Sequence, residues 1–347
     1  LAESLFVQLP GGLGVVAIVA SIFFGSIVGT GSATVAAIGL AMIPRMIKSG
    51  YSPEYSGSLI SAAGGIGVII PPSVVMIIYA VTAQVSITKL FAAGVIPGIL
   101  VGLFLIGYCM LSAQRTQTIT QSKAFSNSQR LKALKEALIP LGLPLLILGG
   151  IYSGLMTPTE SAAIGVFYCI VCGLFFYKTL SVKSLYHISI ESTLLVSVAL
   201  FILGGSVCFG RIMTFEEIPQ KIVASVFYLT ENKILILLGI NALLLVVGAF
   251  FETLAAIVIL TPVLLPITNS LGIDPIHFGI IMIVNLSIGF ITPPLGANLF
   301  MASQVGKIPF DHLARAIWPW VFTMILALML ITFIPEISLT LPSLLNR

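Results

Sequence analysis

The sequence GGIGVIIPPS, residues 64–73, places two adjacent prolines after a glycine-rich run inside a strongly apolar region. Adjacent prolines remove two backbone N–H donors, and glycine permits unwound backbone, so a regular helix cannot continue here. A second stretch of this kind, NLSIGFITPPLGAN, occupies residues 285–298. The sequence therefore predicts two helices that are broken near their centres, over residues 56–88 and 277–304.

The composition indicates a chain that is surrounded by lipid. Of its 347 residues, 58% are hydrophobic and only 8% are charged, and the mean hydropathy is +1.14. A soluble domain carries about 25% charged residues, so this chain has too few to keep a globular surface in water. We therefore predict an all-α polytopic protein of the lipid bilayer. Long apolar runs predict membrane helices at residues 94–113, 138–156, 159–177, 190–210 and 316–335.

A pair of short apolar segments, joined by a charge-poor bend, precedes each broken helix. The segments cover residues 13–28 and 33–48 in the first pair, and 234–250 and 254–270 in the second. The first bend is rich in glycine, serine and threonine, and the second is Phe251-Glu252-Thr253. Because about 20 residues are needed to span the hydrocarbon core, these shorter limbs predict two re-entrant helical hairpins.

An internal repeat relates the two halves of the chain. Pro71 and Pro72 recur 222 positions later as Pro293 and Pro294. The same spacing pairs Ala33 with Ala255, Pro44 with Pro266, Gly50 with Gly272, Pro53 with Pro275, Gly57 with Gly279, Gly67 with Gly289 and Pro97 with Pro319. Such self-similarity at a fixed period predicts a duplicated structural unit.

The distribution of Lys and Arg predicts that the second unit is inverted, because these residues favour the cytoplasmic side. Counting crossings places Arg45, the basic stretch 115–135 and Lys307 on one side, whereas the loop 266–275 contains no Lys or Arg. Arg211, Lys221 and Lys233 fall on the other side in this scheme. We divide the chain into a first repeat (1–113), a basic cytoplasmic loop or surface helix (114–137), connecting scaffold helices (138–210) and a second repeat (211–347).

Inverted repeats with interrupted helices are typical of secondary transporters, which bind substrate and ions near the membrane midplane. The freed carbonyl groups and hydroxyls suit Na⁺, and the amide ends of half-helices suit a carboxylate. An ATP-driven pump is disfavoured because the sequence lacks a phosphate-binding loop motif, and an enzyme because it lacks H-E-x-x-H and paired aspartates. An ion channel with re-entrant filter loops stays open as the alternative.

Several motifs resemble the large membrane subunit of tripartite ATP-independent periplasmic (TRAP) transporters. They are GTGSATVAAIG, SAAGGIGVIIPPSVVMIIYAV, LFAAGVIPG, GGIYSGLMTPTESAAIG and IGFITPPLGANLFMAS. The resemblance covers essentially the whole chain and implies an elevator-type, Na⁺-coupled importer of organic acids in the bacterial inner membrane. It implies C4-dicarboxylates by default, with sialic acid as the alternative. It also implies a small membrane subunit and a periplasmic binding protein as partners, no nucleic acid, and further helices before Leu1.

The resemblance also implies two sodium sites with the organic acid between the hairpin tips. The first sodium site would combine tip residues with the first break: Ser26, Gly29, Thr30, Gly31, Ser32, Gly64, Gly67 and Pro71. The second would combine Glu252 and Thr253 with Asn285, Gly289, Thr292, Pro293, Gly296 and Asn298. The substrate-binding residues would be Ser32, Thr34, Ser73, Thr253 and Asn298.

Structural roles compete with these assignments. The small residues at the first tip also suit close helix packing. Ser73, Asn298 and Glu252 are each candidates for capping a helix rather than binding a ligand. Glu160 is expected to cap a helix near the interface, and the three histidines share no spacing that suggests chemistry.

Overall fold

The computed structural model describes residues 2–116 and 127–344, which are helical throughout with no strand. The α-helices are α1 (Ala2–Phe6), α2 (Gly12–Val28), α3 (Gly31–Lys48), α4 (Pro53–Ile69), α5 (Val74–Ala83), α6 (Ile87–Thr116), α7 (Asn127–Tyr152), α8 (Pro158–Val171), α9 (Val182–Phe215), α10 (Ile218–Leu229), α11 (Lys233–Phe250), α12 (Thr253–Ser270), α13 (Pro275–Gly289), α14 (Ala297–Gly306), α15 (Phe310–Ala316), α16 (Trp318–Phe333) and α17 (Glu336–Leu344). A π-helical segment, Cys172–Phe176, extends α8. Of the described helices, 6 are long and apolar enough to cross a membrane, or up to 8 if two bent pairs each count as one span.

The two predicted hairpins are present as helix pairs whose limbs lie within two residues of the predicted ones. In the first hairpin, α2 ends where Gly29 adopts a φ of 68°, a left-handed conformation that favours glycine, and α3 begins at Gly31. In the second, α11 ends at Phe250 and α12 begins after Glu252. That the hairpins re-enter the membrane stays a prediction.

Both predicted breaks coincide with a gap between two helices, α4 and α5 in the first half and α13 and α14 in the second. The two bent pairs that could each be one span are α4 with α5 and α15 with α16. α4 begins on Ser52, whose hydroxyl accepts the Tyr55 N–H, with Pro53 in the first turn, and ends at Ile69. The chain continues through cis Pro71–Pro72 into α5, which is inclined to α4 by 43°. α13 begins in the same way on Asp274, and the second break contains cis Pro293–Pro294 before α14. The first broken helix ends at Ala83, so residues 87–88 of its predicted range belong to α6.

The remaining predicted spans are present as α6, α7, α8, α9 and α16, and most run beyond their predicted limits. The hydropathy of a window falls at charged residues, whereas the helix itself continues through them. α7, for example, begins with Arg130, Lys132 and Lys135 exposed or partly exposed. In the predicted basic segment 114–137, residues 117–126 lie outside the described residues, and residues 127–137 form the first turns of α7.

Each hairpin packs against the broken helices of both halves of the chain. α2 and α3 pack on α4, and α11 packs on α13. α3 also packs on α14, and α12 packs on α5, so the second limb of each hairpin contacts the distal half of the other broken helix. Near the centre, the Ser287 hydroxyl donates to the Gly65 carbonyl at 2.7 Å. α7 and α8 pack mainly on each other, and α9 and α10 contact α12.

A glycine pair brings the first limb of each hairpin into backbone contact with a broken helix. A Cβ atom on Gly25 would lie 2.5 Å from Gly67 Cα, and one on Gly289 would lie 2.4 Å from the Gly248 carbonyl carbon. Real Cβ atoms do not come within 3.0 Å of such atoms. Any side chain at Gly25 or Gly289 would therefore separate the helices.

Candidate functional site

A cavity of about 130 Å³ lies between the two hairpin tips. It is lined by Thr30, Gly31, Ser32, Val68, Val74, Val75, Glu252, Leu254, Phe290, Ala297 and Asn298. The predicted site residues Thr30, Gly31, Ser32, Glu252 and Asn298 are thus brought together from both halves of the chain. This cavity is the candidate functional site.

Four helix N-termini meet at this cavity, because the first residues of α3, α5, α12 and α14 line it or lie beside it. The first turn of a helix has amide groups without intrahelical acceptors and carries a partial positive charge. The residues before α3, α5 and α14 (Thr30, Ser73 and Gly296) make no side-chain capping bond. Three of the four N-termini therefore have no side-chain cap, although the Val74 and Asn298 N–H groups donate to the carbonyls of Gly29 and Phe290. Such uncapped N-termini suit an anion.

Buried polar atoms without a protein partner surround the cavity. They are Ser73 Oγ, Thr253 Oγ1 and Asn298 Oδ1, and all three residues are at most 1% exposed. An unpaired buried polar group costs about 1–3 kcal/mol, so such groups are expected where a ligand or ion completes the bonding. Ser73 and Asn298 make no capping bond with these atoms, which leaves both free to bind.

Asn298 is held in place from three sides. Its backbone N–H donates to the Phe290 carbonyl at 3.0 Å, and its Nδ2 donates to the Ser61 carbonyl at 3.4 Å. The Ser61 hydroxyl donates back to the Asn298 carbonyl at 3.2 Å. A Cβ atom on Gly31 would lie 2.8 Å from Asn298 Oδ1, so glycine at this position allows the first tip to approach the carboxamide.

Glu252 caps α12, as one of the two interpretations of the sequence proposed. Its Oε2 accepts the Ala255 N–H at 3.0 Å, and the side chain is exposed. The same carboxylate lines the cavity. The N-terminus of α12 therefore already contacts a negatively charged group, the Glu252 carboxylate. Glu160 also caps its helix as predicted, in a reciprocal pair with Thr157.

The residues predicted for the first sodium site lie where the first tip contacts α4. Cβ atoms on Gly64 and Gly67 would lie 3.1 Å from the Gly31 carbonyl oxygen and 3.2 Å from that of Thr30, respectively. Thr34 Oγ1 donates to the Thr30 carbonyl at 2.8 Å. Backbone oxygens therefore concentrate between the tip and the break.

The other predicted residues of the first site make local contacts. Ser26 Oγ donates to the Phe23 carbonyl at 2.7 Å. The Gly29 carbonyl accepts the Val74 N–H at 3.4 Å, which joins the tip to the start of α5. Pro71 is buried in the break.

The residues predicted for the second sodium site are more dispersed. Thr292 Oγ1 donates to the Ile288 carbonyl at 2.8 Å, and Gly296 adopts a φ of 48° just before α14. Gly289 packs against Gly248, and Pro293 lies in the break. Asn285 lies outside the cavity lining and donates through Nδ2 to Asn241 and to the Ile281 carbonyl, both at 2.8 Å.

Sequence reasoning missed the apolar part of the lining, which comprises Val68, Val74, Val75, Leu254, Phe290 and Ala297. Apolar residues in an apolar chain carry no signal by type. Their positions are informative, because most of these residues lie directly beside a helix break or a hairpin tip. A search of the residues that flank each interruption would have found them.

Comparison with known proteins identifies the family. Residues 1–337 match the family described as "Tripartite ATP-independent periplasmic transporter, DctM component". The chain is 44% identical to the isethionate TRAP transporter permease protein DctMQ of Oleidesulfovibrio alaskensis, over 98% of this chain and 53% of that protein. It is 41% identical to the C4-dicarboxylate TRAP transporter large permease protein DctM of Pseudomonas aeruginosa, over 97% of this chain and 78% of that protein.

A third relative is the sialic acid TRAP transporter large permease protein SiaM of Vibrio cholerae, which is 37% identical over 99% of this chain and 80% of its own length. The chain thus spans about half the length of one curated relative and about four fifths of the others. The family is a transporter component and not an enzyme. Together with its apolar helices, these matches assign this multi-pass membrane chain to the DctM family of TRAP transporter large permease subunits.

Proposed function

We propose that this chain forms the transport core of a Na⁺-coupled importer of organic acids in the bacterial inner membrane. The observation that carries the proposal is the convergence of four helix N-termini on one cavity bordered by unpartnered polar atoms. C4-dicarboxylates are the default substrate and sialic acid is the alternative; isethionate joins them because of the 44% identical relative.

The helix N-termini around the cavity, and not the charged side chains of its lining, support an anionic substrate. The described lining contains no Lys, Arg or His, so backbone amides and hydroxyl or amide side chains provide the positive potential. The open N-termini of α3, α5 and α14 suit a carboxylate or sulfonate group. A cation beside the carbonyl oxygens of Thr30 and Gly31 would offset the charge of the substrate, which gives a physical reason for coupling to Na⁺.

An inverted repeat that moves as an elevator is part of the proposal. Its support is the equal spacing of structural features: Ser52 and Asp274, the two cis proline bonds, and the glycine contacts at Gly67 and Gly289 all correspond at 222 residues. Ser287 and Gly65, which bond to each other, are also 222 residues apart, as expected near a two-fold pseudo-axis. α7 and α8 pack mainly on each other, as a scaffold separate from the moving part would.

The partners that we propose are a small membrane subunit and a periplasmic binding protein, which together with this family make up a TRAP system. α9 supports a lipid or membrane-protein neighbour, because its apolar side chains are exposed, Phe201 by 86%. Isolated apolar side chains on a soluble surface would be ordinary, but so many exposed apolar side chains among the described residues of one helix are not.

The test is uptake of labelled succinate, sialic acid and isethionate by the complete transporter in proteoliposomes, with its small subunit and binding protein. We expect uptake to require both the binding protein and an inward Na⁺ gradient. Combining Ser32→Ala with Thr292→Ala should reduce uptake at least about tenfold, because Ser32 lines the cavity and Thr292 belongs to the second proposed sodium site. The matched control is Ser270→Ala with Thr323→Ala, which removes the same groups from outside the lining.

The ion-channel alternative gives a different result in the same vesicles. A channel would pass Na⁺ without any organic acid, whereas the proposed transporter couples the two fluxes. Substrate-independent Na⁺ flux would therefore refute the transporter, and uptake that ignores the Na⁺ gradient would refute the sodium coupling.

Replacing Glu252 separates its capping role from its charge. Serine also caps helices well, so Glu252→Ser should leave the thermal unfolding midpoint nearly unchanged. We expect the Na⁺ concentration for half-maximal uptake to rise several-fold, because a carboxylate on the cavity wall attracts the cation. The control is Glu217→Ser, which makes the same exchange at the residue that precedes α10, outside the cavity lining. An unchanged Na⁺ dependence in Glu252→Ser would mean that Glu252 only caps α12 and does not attract the cation.

A further inference from the structure

A buried chain of polar side chains runs through the second half of the protein, away from the cavity. His277 Nδ1 lies 3.0 Å from Ser338 Oγ, and Nε2 lies 3.4 Å from the Thr332 carbonyl. Asn241 Nδ2 donates to Thr332 Oγ1 at 3.1 Å, and Asn285 Nδ2 donates to Asn241 Oδ1 at 2.8 Å. We call these five residues the His277–Asn285 chain. All of them are at most 2% exposed.

The hydrogen-bond partners of the His277 imidazole determine which ring nitrogen carries the proton. A carbonyl oxygen only accepts, so Nε2 carries the hydrogen of the neutral ring, and Ser338 donates its hydroxyl hydrogen to Nδ1. At the other end, Asn285 Oδ1 has no partner. The Nδ2 groups of Asn285 and Asn241 donate in turn, so these bonds run from Asn285 to the Thr332 hydroxyl, whereas His277 contacts Thr332 through its backbone carbonyl.

The His277–Asn285 chain joins four helices, α11, α13, α16 and α17. α11 is the first limb of the second hairpin, and Asn241 and Gly248 on its length both contact α13. A buried polar pair has few alternative partners, so it specifies one register between two helices. The position of α11 along α13 in turn sets where the second tip stands relative to the second break.

The first half of the protein has no equivalent. The residues 222 positions before Asn241, Asn285 and Thr332 are Val19, Ala63 and Met110, all apolar. His277 corresponds to Tyr55, whose hydroxyl instead contacts Ser112 Oγ at 2.7 Å in α6. Among the described residues, a buried amide pair therefore fixes the first limb of the second hairpin on its broken helix, and the first hairpin has no such pair.

We propose that the His277–Asn285 chain is a positioning network that sets the Na⁺ affinity of the second hairpin, with His277 as its proton-sensitive end. The proposal rests on the Na⁺ coupling proposed above. None of the five residues lines the cavity between the tips, so they act through the placement of α11 and not by touching the substrate.

Proton uptake at His277 should weaken the network. A protonated ring would need Ser338 to accept instead of donate, and would place a charge in a buried position. Asp274 and Glu336, which precede α13 and begin α17, favour that charge, and Lys233 at the start of α11 opposes it. The α5 residue Tyr79 faces the same helix end but donates to the Pro275 carbonyl, and α16 contains no charged residue. His277 also borders a cavity of about 610 Å³ through which the ring can withdraw.

The test compares variants of the complete transporter in proteoliposomes, and measures half-saturating Na⁺, maximal uptake and the thermal midpoint. Asn241→Val with Asn285→Ala copies the first half and leaves neither amide unpaired, so the protein should fold. We expect half-saturating Na⁺ to rise about fivefold in this double variant, and also in Asn241→Val alone, which leaves the predicted sodium ligand Asn285 in place with its Nδ2 bond to the Ile281 carbonyl. His277→Phe should act in the same direction, and His277→Gln, which can still donate and accept, should restore the wild-type value at neutral pH. Tyr55→Phe is the matched control.

A pH profile separates positioning from plain stability. As the pH falls from about 6.5 to 5, half-saturating Na⁺ should rise in the wild type and stay constant in His277→Gln. An unchanged Na⁺ dependence in the Asn241/Asn285 double variant would overturn the inference while leaving the proposed function intact. Uptake by the wild type that needs no Na⁺ would instead overturn the proposed function itself.

Discussion

Gly289→Ala should abolish uptake and lower the thermal midpoint of the purified subunit. The new Cβ atom would lie 2.4–2.5 Å from the carbonyl carbon, Cα and carbonyl oxygen of Gly248. These are backbone atoms of a helix, so they cannot rotate away as a side chain would. Forcing extra atoms into a packed contact costs about 1–3 kcal/mol, and here the limb of a hairpin must move away from the second break.

Gly239→Ala is the matched control, since Gly239 lies in the same helix as Gly248 and has open space around it. It should keep both uptake and thermal midpoint, or gain slightly in stability, because alanine favours a helix. Gly25→Ala should behave like Gly289→Ala, because its Cβ would lie 2.5 Å from Gly67 Cα. A Gly289→Ala protein with wild-type uptake would mean that the helices do not need this contact.

Asn298→Asp should reduce uptake of an organic anion at least about 100-fold while the protein stays folded. The two side chains have the same shape, and the change puts a negative charge on a fully buried group of the cavity wall. It also replaces the long Nδ2 bond to the Ser61 carbonyl by a contact between two acceptors, which is why the thermal midpoint is measured as well. Glu252 is already the one acidic residue of the described lining. Like charges brought together in an interface cost several kcal/mol, which the substrate would meet on binding.

The control adds the same charge elsewhere: Asn269→Asp, at the exposed end of α12, should leave uptake unchanged. Uptake and thermal midpoint are measured together, so that misfolding is recognised. If Asn298→Asp transports normally, the anion does not bind between the tips. A protein that binds Na⁺ more tightly but transports no substrate would agree with the expected loss.

The sequence could predict the interruptions of the helices because their causes are local. Proline removes a donor and glycine permits unusual backbone, whatever the rest of the chain does, so the breaks at Pro71–Pro72 and Pro293–Pro294 were predictable. Short limb length and missing charge located the tips at Gly29 and Glu252 for the same reason. The regular spacing of 222 residues then related one half of the chain to the other.

The direction in which a side chain points was not predictable, because it depends on packing between distant segments. The family resemblance implied Asn285 as a sodium ligand, but not that its Nδ2 donates to Asn241 while its Oδ1 has no protein partner. The packing of α3 on α14, which belongs to the other broken helix, also cannot be predicted from the sequence. Apolar lining residues such as Phe290 are indistinguishable by type from the many that face lipid or the core.

The reciprocal bonds between Ser61 and Asn298 have a consequence for biosynthesis. These residues are 237 positions apart, and at a ribosomal rate of about 5–20 residues per second roughly 10–50 s separate their appearance. During that interval the glycine-rich tip and the hydroxyl of Ser61 have no final partner in the nascent chain. The binding cavity is therefore completed only after α14 has been synthesised, and a chain interrupted before α14 would present an unpaired polar surface to the membrane-insertion and quality-control machinery.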